Sequence, residues 1–345
     1  MTNGLSRRGL GAGVAAAALA GLAAPAVLRA DEPLRLRCSL DTAASHGRNL
    51  SMGDYLKKVE AASNGRIKGE VFSGGALFAD LDVTKALLQG QVEMACPGAW
   101  TITGFIPDAE LFQLPALYGQ PIETVHKVID GPVGKMVESE IEKRLRSQVL
   151  GPWLDLGYNN WYSTSKPLTG FDSLKGMKLR NSGGAGQAWR ARFFGAVPIT
   201  TAWPNVPLAL SQGTFDGLSS TNESCYSSKL WDAGLKYGME DHQFMGEYIP
   251  MVSLTFWNQL KPEEQKMMTD IWAQNIPTYR QNMAAAQVHA RQELEAHNVK
   301  YNDPSAAQIA EERKRMLPDQ DQLAKELKVS PEIVKSVMAD VGTAA

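Results

Sequence analysis

Arg180 is the residue whose type and setting point most directly to ligand chemistry. It closes a short strand-like stretch and is followed by a glycine-rich turn, residues 181–186, which leads into a helix near Gln187. A guanidinium binds a carboxylate through two parallel hydrogen bonds, and free backbone N–H groups at the start of a helix also attract anions. We therefore predict an anion-binding site at Arg180; a surface ion pair with an Asp or Glu is the alternative.

The glycine-rich turn does not predict a nucleotide site. Residues 181–186 lack the Gly-Lys-Ser/Thr ending of a phosphate-binding loop, and they lack the full GxGxxG spacing with a later acid for the ribose. With a net charge of −2 over 345 residues, the chain also has no basic excess for nucleic acid. We expect neither a nucleotide cofactor nor a nucleic-acid partner.

Sequence motifs for enzyme chemistry are not apparent. No nucleophile elbow, ordered Ser/His/Asp set or close pair of acids has the required spacing, although a triad can be dispersed along a chain. Cys38, Cys96 and Cys225 are far apart and odd in number, so we expect buried small side chains rather than disulfides. The five histidines are too scattered to predict a metal site. The sequence favours a binding protein with no catalytic residues, cofactor or metal.

Strands and helices alternate after residue 33, which is typical of an α/β fold. Residues 34–40 and 66–72 have strand patterns, residues 52–62 and 80–88 have helical spacing, and residues 92–96 form a buried-strand candidate. A chain of this length is enough for two domains of ordinary size.

Polar side chains stand where two further strands end. One strand-like stretch, residues 147–155, leads towards Asn159, and another, residues 177–180, leads into Asn181. In open α/β sheets the ligand crevice lies beyond the carboxyl ends of strands. We therefore expect Asn159, Arg180 and Asn181 to face a ligand cleft.

A long helical pattern occupies residues 262–297 and includes Pro277, which predicts a kink. Globular helices average about 11–12 residues, so this one should span both domains or wrap around one. The tail after residue 303 predicts two or three short helices, with Pro318 and Pro331 as starts or breaks.

The first thirty residues resemble an export signal. Arg7 and Arg8 precede an Ala/Gly-rich apolar run that reaches Leu28, and Ala30 suits a cleavage site. A membrane anchor is the alternative, but alanine and glycine partition weakly into lipid. We predict a twin-arginine signal peptide over residues 1–30. No later segment is apolar for the ~18 residues of a spanning helix, so we expect the remainder to be soluble.

One succession of motifs resembles a known family. Residues 174–180 read LKGxKxR, residues 195–198 read GAxP, and residues 209–217 read ALxxGxxDG. In this order they resemble the DctP-type solute-binding subunits of TRAP (tripartite ATP-independent periplasmic) transporters, and the resemblance covers almost the whole chain after the signal.

The resemblance implies an α/β, two-domain, periplasmic-binding-protein-like fold with a hinge cleft and a long connecting helix. Domain I would comprise residues 31–156 plus about 246–285. Domain II would comprise residues 157–245 plus about 286–345, including the C-terminal helices. Closure of the two domains over a ligand would capture it.

The resemblance also implies site residues. Arg180 would bind the ligand carboxylate, and Asn159 stands where relatives often carry a second ligand-facing arginine. Aspartates, tryptophans and small polar residues would line the rest of the cleft: Asp41, Asp80, Trp100, Thr101, Trp203, Ser220 and Asn222. Since asparagine replaces a charge with a neutral hydrogen-bonding group, we expect a monocarboxylate, hydroxylated or aromatic, rather than a dicarboxylate; a sulfonate is the alternative anion.

The implied role is a periplasmic subunit that delivers a small organic acid to the small and large membrane components of a TRAP permease. Two alternatives remain open. One is an enzyme exported by the twin-arginine route, for which no cofactor motif is present. The other is a ligand-binding subunit of a sensor system, which the same fold would permit.

Overall fold

The computed structural model describes residues 32–342; the predicted signal, residues 1–30, lies outside the described residues. In chain order the strands are β1 (Leu34–Ser39), β2 (Ile67–Phe72), β3 (Met94–Ala95), β4 (Ser147–Val149), β5 (Leu154–Ser163), β6 (Lys178–Asn181), β7 (Val197–Thr200), β8 (Gly217–Ser220), β9 (Tyr237–Tyr248), β10 (Met251–Ser253) and β11 (Lys300–Tyr301). The α-helices are α1 (Gly47–Ala62), α2 (Asp80–Leu88), α3 (Ile122–Ile129), α4 (Pro132–Leu145), α5 (Ala185–Phe193), α6 (Val206–Ser211), α7 (Asn222–Ser227), α8 (Leu254–Trp257), α9 (Pro262–Ala296), α10 (Ala306–Met316), α11 (Gln320–Leu327) and α12 (Pro331–Gly342).

The first sheet has the strand order β2-β1-β3-β10-β4. β1 pairs in parallel with β2 and with β3, so the alternation read from the sequence gives βαβ units with α1 and α2 as crossover helices. β10 comes much later in the chain and inserts antiparallel between β3 and β4. The largest apolar core surrounds this sheet.

The second sheet has the order β11-β9-β5-β8-β6-β7, with β5 antiparallel to both β8 and β9. Successive side chains of a strand point to opposite faces. Accordingly Trp161 and Tyr162 of β5 belong to two different apolar clusters, one on each face of the sheet. The sheet is therefore covered on both sides.

Three connections join the two sheets. The chain passes from β4 into β5 and returns from β9 into β10. The third connection is α9, a helix of 35 residues that continues through Pro277 and contacts α1, β5 and α7. Its fully buried Trp272 packs edge-on against Tyr55 and donates an indole hydrogen bond of 2.8 Å to the Pro152 carbonyl. The predicted fold, two α/β domains with a long connecting helix, is confirmed.

The predicted domain limits remain a prediction. The last helices divide between the two cores: Met316 at the end of α10 packs with the second sheet. In α12, Ile333, Val337 and Val341 pack into the core of the first sheet. The helices α10 and α12 thus lie against different halves of the molecule.

The prediction that Asn159 lies beyond the carboxyl end of a strand was wrong for residues 157–160. These residues lie inside β5, where Tyr158 is opposite Met245 and Asn159 is opposite Phe244 of β9. Glycine and asparagine are poor strand formers, but pairing with β9, joined by β8 from Asn160 onward, overrides that preference. Gly157 lies at a shift in the β5–β9 register with φ of 120°, a conformation that favours glycine.

The cysteine prediction is confirmed, since Cys38, Cys96 and Cys225 are all free and buried. Across residues 32–342, no helix combines the length and the apolar character needed to cross a membrane.

Candidate functional site

A narrow cavity lies between the two sheets. On one side its walls come from the segments after β1 and β3 and from the start of α2. On the other side they come from β5, from the ends of β6 and β8, and from the segment after β7. The lining residues are Asp41, Thr42, Asp80, Leu81, Trp100, Thr101, Leu156, Asn159, Arg180, Ser182, Ala202, Trp203, Ser220, Ser224 and Tyr248.

The structure brings most of the predicted site residues together at this cavity. Those that line it are Asp41, Asp80, Trp100, Thr101, Asn159, Arg180, Trp203 and Ser220. They come from segments far apart in the sequence, which the fold places around one cavity.

Asn222 is not among them. The chain turns from β8 into α7 at this residue, so its side chain points away and lines a second cavity behind β5 and β9. There Asn222 Oδ1 accepts hydrogen bonds from Tyr162 (2.6 Å) and Tyr301 (2.9 Å), and its Nδ2 donates to Glu240 (2.6 Å). The resemblance implied a cleft position for Asn222, and the structure places this residue at the second cavity instead.

Arg180 sits at the carboxyl end of β6 with only 2% of its surface exposed. Its Nε and Nη2 donate to the Thr201 carbonyl at 3.0 and 2.8 Å, and Nη1 lies 3.5 Å from the Ser219 carbonyl. Within residues 32–342, no carboxylate oxygen lies within 4 Å of its guanidinium nitrogens. Burial lowers the pKa of Arg180 to about 10, so the side chain stays charged at neutral pH.

The prediction that the glycine-rich turn leaves free N–H groups for an anion was wrong. The amides of Ala185 and Gly186, in the first turn of α5, donate to the carboxylate of Glu110 at 2.7 and 3.3 Å. The preceding amides of Ser182 and Gly183 bond to Gln187 Oε1 and Asn181 Oδ1. An acid from the chain itself satisfies the helix N-terminus, so of the groups predicted to bind an anion only Arg180 is still a candidate.

Arg48 was missed by the sequence reasoning, although it organises the opposite wall. This fully buried guanidinium forms ion pairs with Asp41 at 2.6 Å and Asp80 at 2.7 Å. It also donates to the Cys96 carbonyl at 3.0 Å and lies over the Tyr248 ring at 4.1 Å. One arginine on a helix gives no signal of this role in the sequence, because only the docking of α1 buries it.

Burial and a neighbouring charge shift the pKa of Asp80 in opposite directions. Burial raises its pKa to about 7, whereas the charge of Arg48 lowers it. Its Oδ2 pairs with Arg48 and accepts from the Gly98 amide, but its buried Oδ1 has no hydrogen-bond partner within the described part of the chain. Asp80 therefore has one unused acceptor oxygen.

Asn159 also has an unused group. Its side chain is buried, and within the described ranges its Nδ2 donates to no acceptor. Buried polar atoms are nearly always hydrogen-bonded in folded proteins. Asn159 and Asp80, which line the cavity together with Arg180, thus carry one unused donor and one unused acceptor.

Trp100 and Trp203 provide apolar walls. Trp100 packs against Tyr248 with ring centroids 5.7 Å apart, and Trp203 lies 5.2 Å from the Arg180 guanidinium. A cation over an aromatic ring is stabilised by the ring quadrupole. Trp161 of β5 does not line the cavity and is a core residue of the second sheet.

His46 and Ser224 form the one close His–Ser pair beside the cavity within the described residues, with Nε2 3.2 Å from Oγ. His46 Nδ1 accepts from the Arg48 amide at 3.0 Å, so this nitrogen carries no proton. Burial and Arg48 lower the pKa of His46 well below its ordinary value, which leaves a neutral ring protonated on Nε2. That tautomer donates to Ser224 and cannot deprotonate it.

Solved structures share this architecture. The sugar acid binding protein DctPAm from Advenella mimigardefordensis, in complex with galactonate, superposes with a TM-score of 0.84 at 21% identity and covers 91% of this chain and 99% of its own. A TRAP periplasmic solute binding protein from Shewanella oneidensis with bound succinate gives a TM-score of 0.81 at 19% identity and covers 90% and 99%. Both matches show the fold alone.

Sequence similarity shows the family as well as the fold. The C4-dicarboxylate-binding periplasmic protein DctP of Rhodobacter capsulatus is 30% identical over 261 residues, covering 74% of this chain and 75% of the relative. Residues 43–327, from the segment after β1 to the end of α11, match the profile of DctP, bacterial extracellular solute-binding protein, family 7. The match includes every residue that lines the cavity except Asp41 and Thr42, and the chain therefore belongs to the DctP family of bacterial extracellular solute-binding proteins.

Proposed function

We propose that this chain is the periplasmic solute-binding subunit of a TRAP transporter and captures a small hydroxylated organic acid that carries one carboxylate. The observation that carries this proposal is the buried Arg180, which faces the cavity without a carboxylate partner in residues 32–342. A buried charge is costly unless it is paired. Thr201 occupies Nε and one hydrogen of Nη2, which leaves the two Nη groups able to bind both oxygens of a carboxylate.

The balance of charge favours one carboxylate rather than two. Asp41 and Asp80 share Arg48, so Arg180 is the remaining arginine of the cavity and lacks an acid in contact. Asn159 adds a neutral amide where a second arginine would accept a second carboxylate. A further negative charge on the ligand would instead face Asp41 and Asp80.

Hydroxyl groups fit the remaining polar atoms. A hydroxyl donates one hydrogen bond and accepts others, so it can bind both Asp80 Oδ1 and Asn159 Nδ2, which have no partner in the described structure. Trp100 and Trp203 would cover the carbon skeleton. The galactonate complex of the Advenella protein supports a sugar acid, whereas the succinate complex of the Shewanella protein shows that ligands vary across this fold.

Delivery to a TRAP permease is proposed from family membership, and periplasmic location from the predicted export signal and from the periplasmic relative in Rhodobacter capsulatus. If this is correct, membrane vesicles containing the permease subunits should take up the acid only when this protein is added. Uptake that is independent of the protein would contradict the transport role.

A ligand screen tests the binding function. Thermal shifts and calorimetry should find that galactonate or a related hydroxylated monocarboxylate binds, and that Arg180→Gln weakens binding at least about 30-fold, since losing one partner of a buried charge pair costs roughly 2–5 kcal/mol. Arg192→Gln removes the same charge from an exposed position of α5 and should bind normally. Stabilisation by dicarboxylates alone, or unchanged affinity in Arg180→Gln, would refute the proposal.

A further inference from the structure

Two acids lie opposite each other on β5 and β9, near the points where the chain passes between the two sheets. Asp155 of β5 is the direct cross-strand partner of Glu247 of β9, and both side chains are buried, Glu247 completely. Like charges directly opposite in a sheet are destabilising. Their position therefore needs a compensating positive charge or a proton.

A histidine completes the group. His126 of α3 places Nε2 2.9 Å from Asp155 Oδ1, and the nearest donor atoms of His126, Asp155 and Glu247 all lie within 4.8 Å of one another. These residues come from three elements and are widely separated in the sequence, which is why the scattered histidines gave no signal of a site. We refer to the three residues as the hinge cluster.

The arginine that faces the hinge cluster already forms an ion pair with another acid. Arg280 of α9 lies 3.2 Å from Asp155 Oδ1, but its two Nη groups bind Asp130 at 2.6 and 2.9 Å and its Nε donates to the Trp153 carbonyl. Three carboxylates thus share one guanidinium. Glu247 is fully buried, and among residues 32–342 its carboxyl meets that of Asp155 but accepts no hydrogen bond from a nitrogen or hydroxyl donor.

We propose that the hinge cluster binds a divalent transition-metal ion of the zinc type. One imidazole nitrogen and two carboxylates form a ligand set that suits zinc, whereas magnesium and calcium prefer oxygen ligands alone. The ion would neutralise the excess negative charge and would bind Glu247, whose carboxyl faces another acid and accepts no hydrogen bond from a nitrogen or hydroxyl donor in the described residues.

The geometry requires only small adjustments. Zinc–ligand distances of about 2.0–2.2 Å place tetrahedral donor atoms roughly 3.3–3.6 Å apart, so the side chains would contract by about an ångström. His126 keeps a quarter of its side-chain surface exposed, and Asp155 also lines the second cavity, so an ion and a fourth, water ligand have access. Because β5 and β9 adjoin the sheet crossings, a bound ion would stabilise the hinge.

Calorimetry with zinc chloride tests the proposal on the purified, chelator-treated full chain. We expect one zinc ion per chain and an affinity at least tenfold lower in Glu247→Gln and in His126→Gln. His289→Gln, which removes an exposed histidine of α9 far from the cluster in sequence, should bind zinc as the wild type does.

A thermal-shift series in zinc chloride keeps the test independent of any one variant. Zinc should raise the melting temperature of the wild type and of His289→Gln but not that of His126→Gln, whose half-buried position tolerates substitution. Absence of saturable binding, or equal affinity in wild type and both cluster variants, would overturn the proposal. Neither outcome bears on the anion site at Arg180.

Discussion

The backbone amide of Gly47 donates a hydrogen bond of 3.0 Å to Oε1 of Glu223. Gly47 begins α1, which packs on the first sheet, and Glu223 lies in the first turn of α7, which follows the second sheet. A carboxylate is favourable at a helix N-terminus. Together with the adjacent contact between His46 and Ser224, this bond joins the two halves of the molecule beside the candidate cavity.

The Gly47–Glu223 contact predicts a pH-dependent stability. Burial raises the pKa of Glu223 to about 7, above its value in the unfolded chain. Between about pH 5 and 7, Glu223 is therefore protonated in the folded protein and ionised in the unfolded chain. The free energy of unfolding falls as the pH rises through this range, and the contribution of Glu223 is lost above pH 7. Glu223→Gln keeps the acceptor and cannot ionise, so it should gain roughly 2 kcal/mol over the wild type between pH 5 and pH 8.

Urea unfolding at the two pH values measures this difference. Glu311→Gln, which changes an exposed acid of α10, should follow the wild-type dependence. A constant difference between Glu223→Gln and the wild type at both pH values would show that Glu223 does not titrate in this range.

Arg48 should be essential for stability. Arg48→Met leaves Asp41 and Asp80 buried without their cation, and breaking a buried pair typically costs about 3–5 kcal/mol. Arg35→Met is the matched control, because Arg35 pairs with Glu70 at the surface, where both side chains are more than half exposed, and such pairs contribute about 0–1 kcal/mol. Equal free energies of unfolding for the two variants would contradict the role of Arg48.

Local motifs predicted one side of the cavity well. The LKGxKxR stretch placed Arg180 at the end of a strand, and the structure confirms that position. The surroundings of Arg180 were not predictable, because Glu110 reaches the start of α5 from a distant segment and satisfies the amides expected to be free. A motif specifies a backbone segment, whereas the partner of each amide depends on how distant segments pack.

Burial and strand pairing explain the other differences. Arg48 and Tyr248 carry no motif, and their contact, with the guanidinium 4.1 Å from the ring, exists only after α1 docks beside the end of β9. Asp155 and Glu247 become neighbours through the β5–β9 register alone. Such relationships depend on long-range packing, which residue spacing along one chain does not encode.

Asn159 should set the preference for charge. Asn159→Asp replaces a donor with a negative charge in the cavity that Arg180 lines, so we expect the affinity for a monocarboxylate to fall at least about 30-fold, the effect of an unpaired buried charge. Asn282→Asp adds the same charge at an exposed position of α9 and should change affinity little. Calorimetry with the acid identified in the screen makes the comparison; unchanged affinity in Asn159→Asp would place the ligand away from β5.

Ligand binding should also close the two halves of the molecule. Arg180 and Asn159 lie on the second sheet, whereas Asp41 and Asp80 lie against the first, so a ligand that contacts both sets is fully bound only when the halves meet. A ligand shifts such an equilibrium by its differential affinity for the two states. Small-angle X-ray scattering should therefore show a smaller radius of gyration for the wild type after the acid is added, and no change for Arg180→Gln at the same concentration. An unchanged radius in the wild type at saturation would mean that capture does not proceed by domain closure.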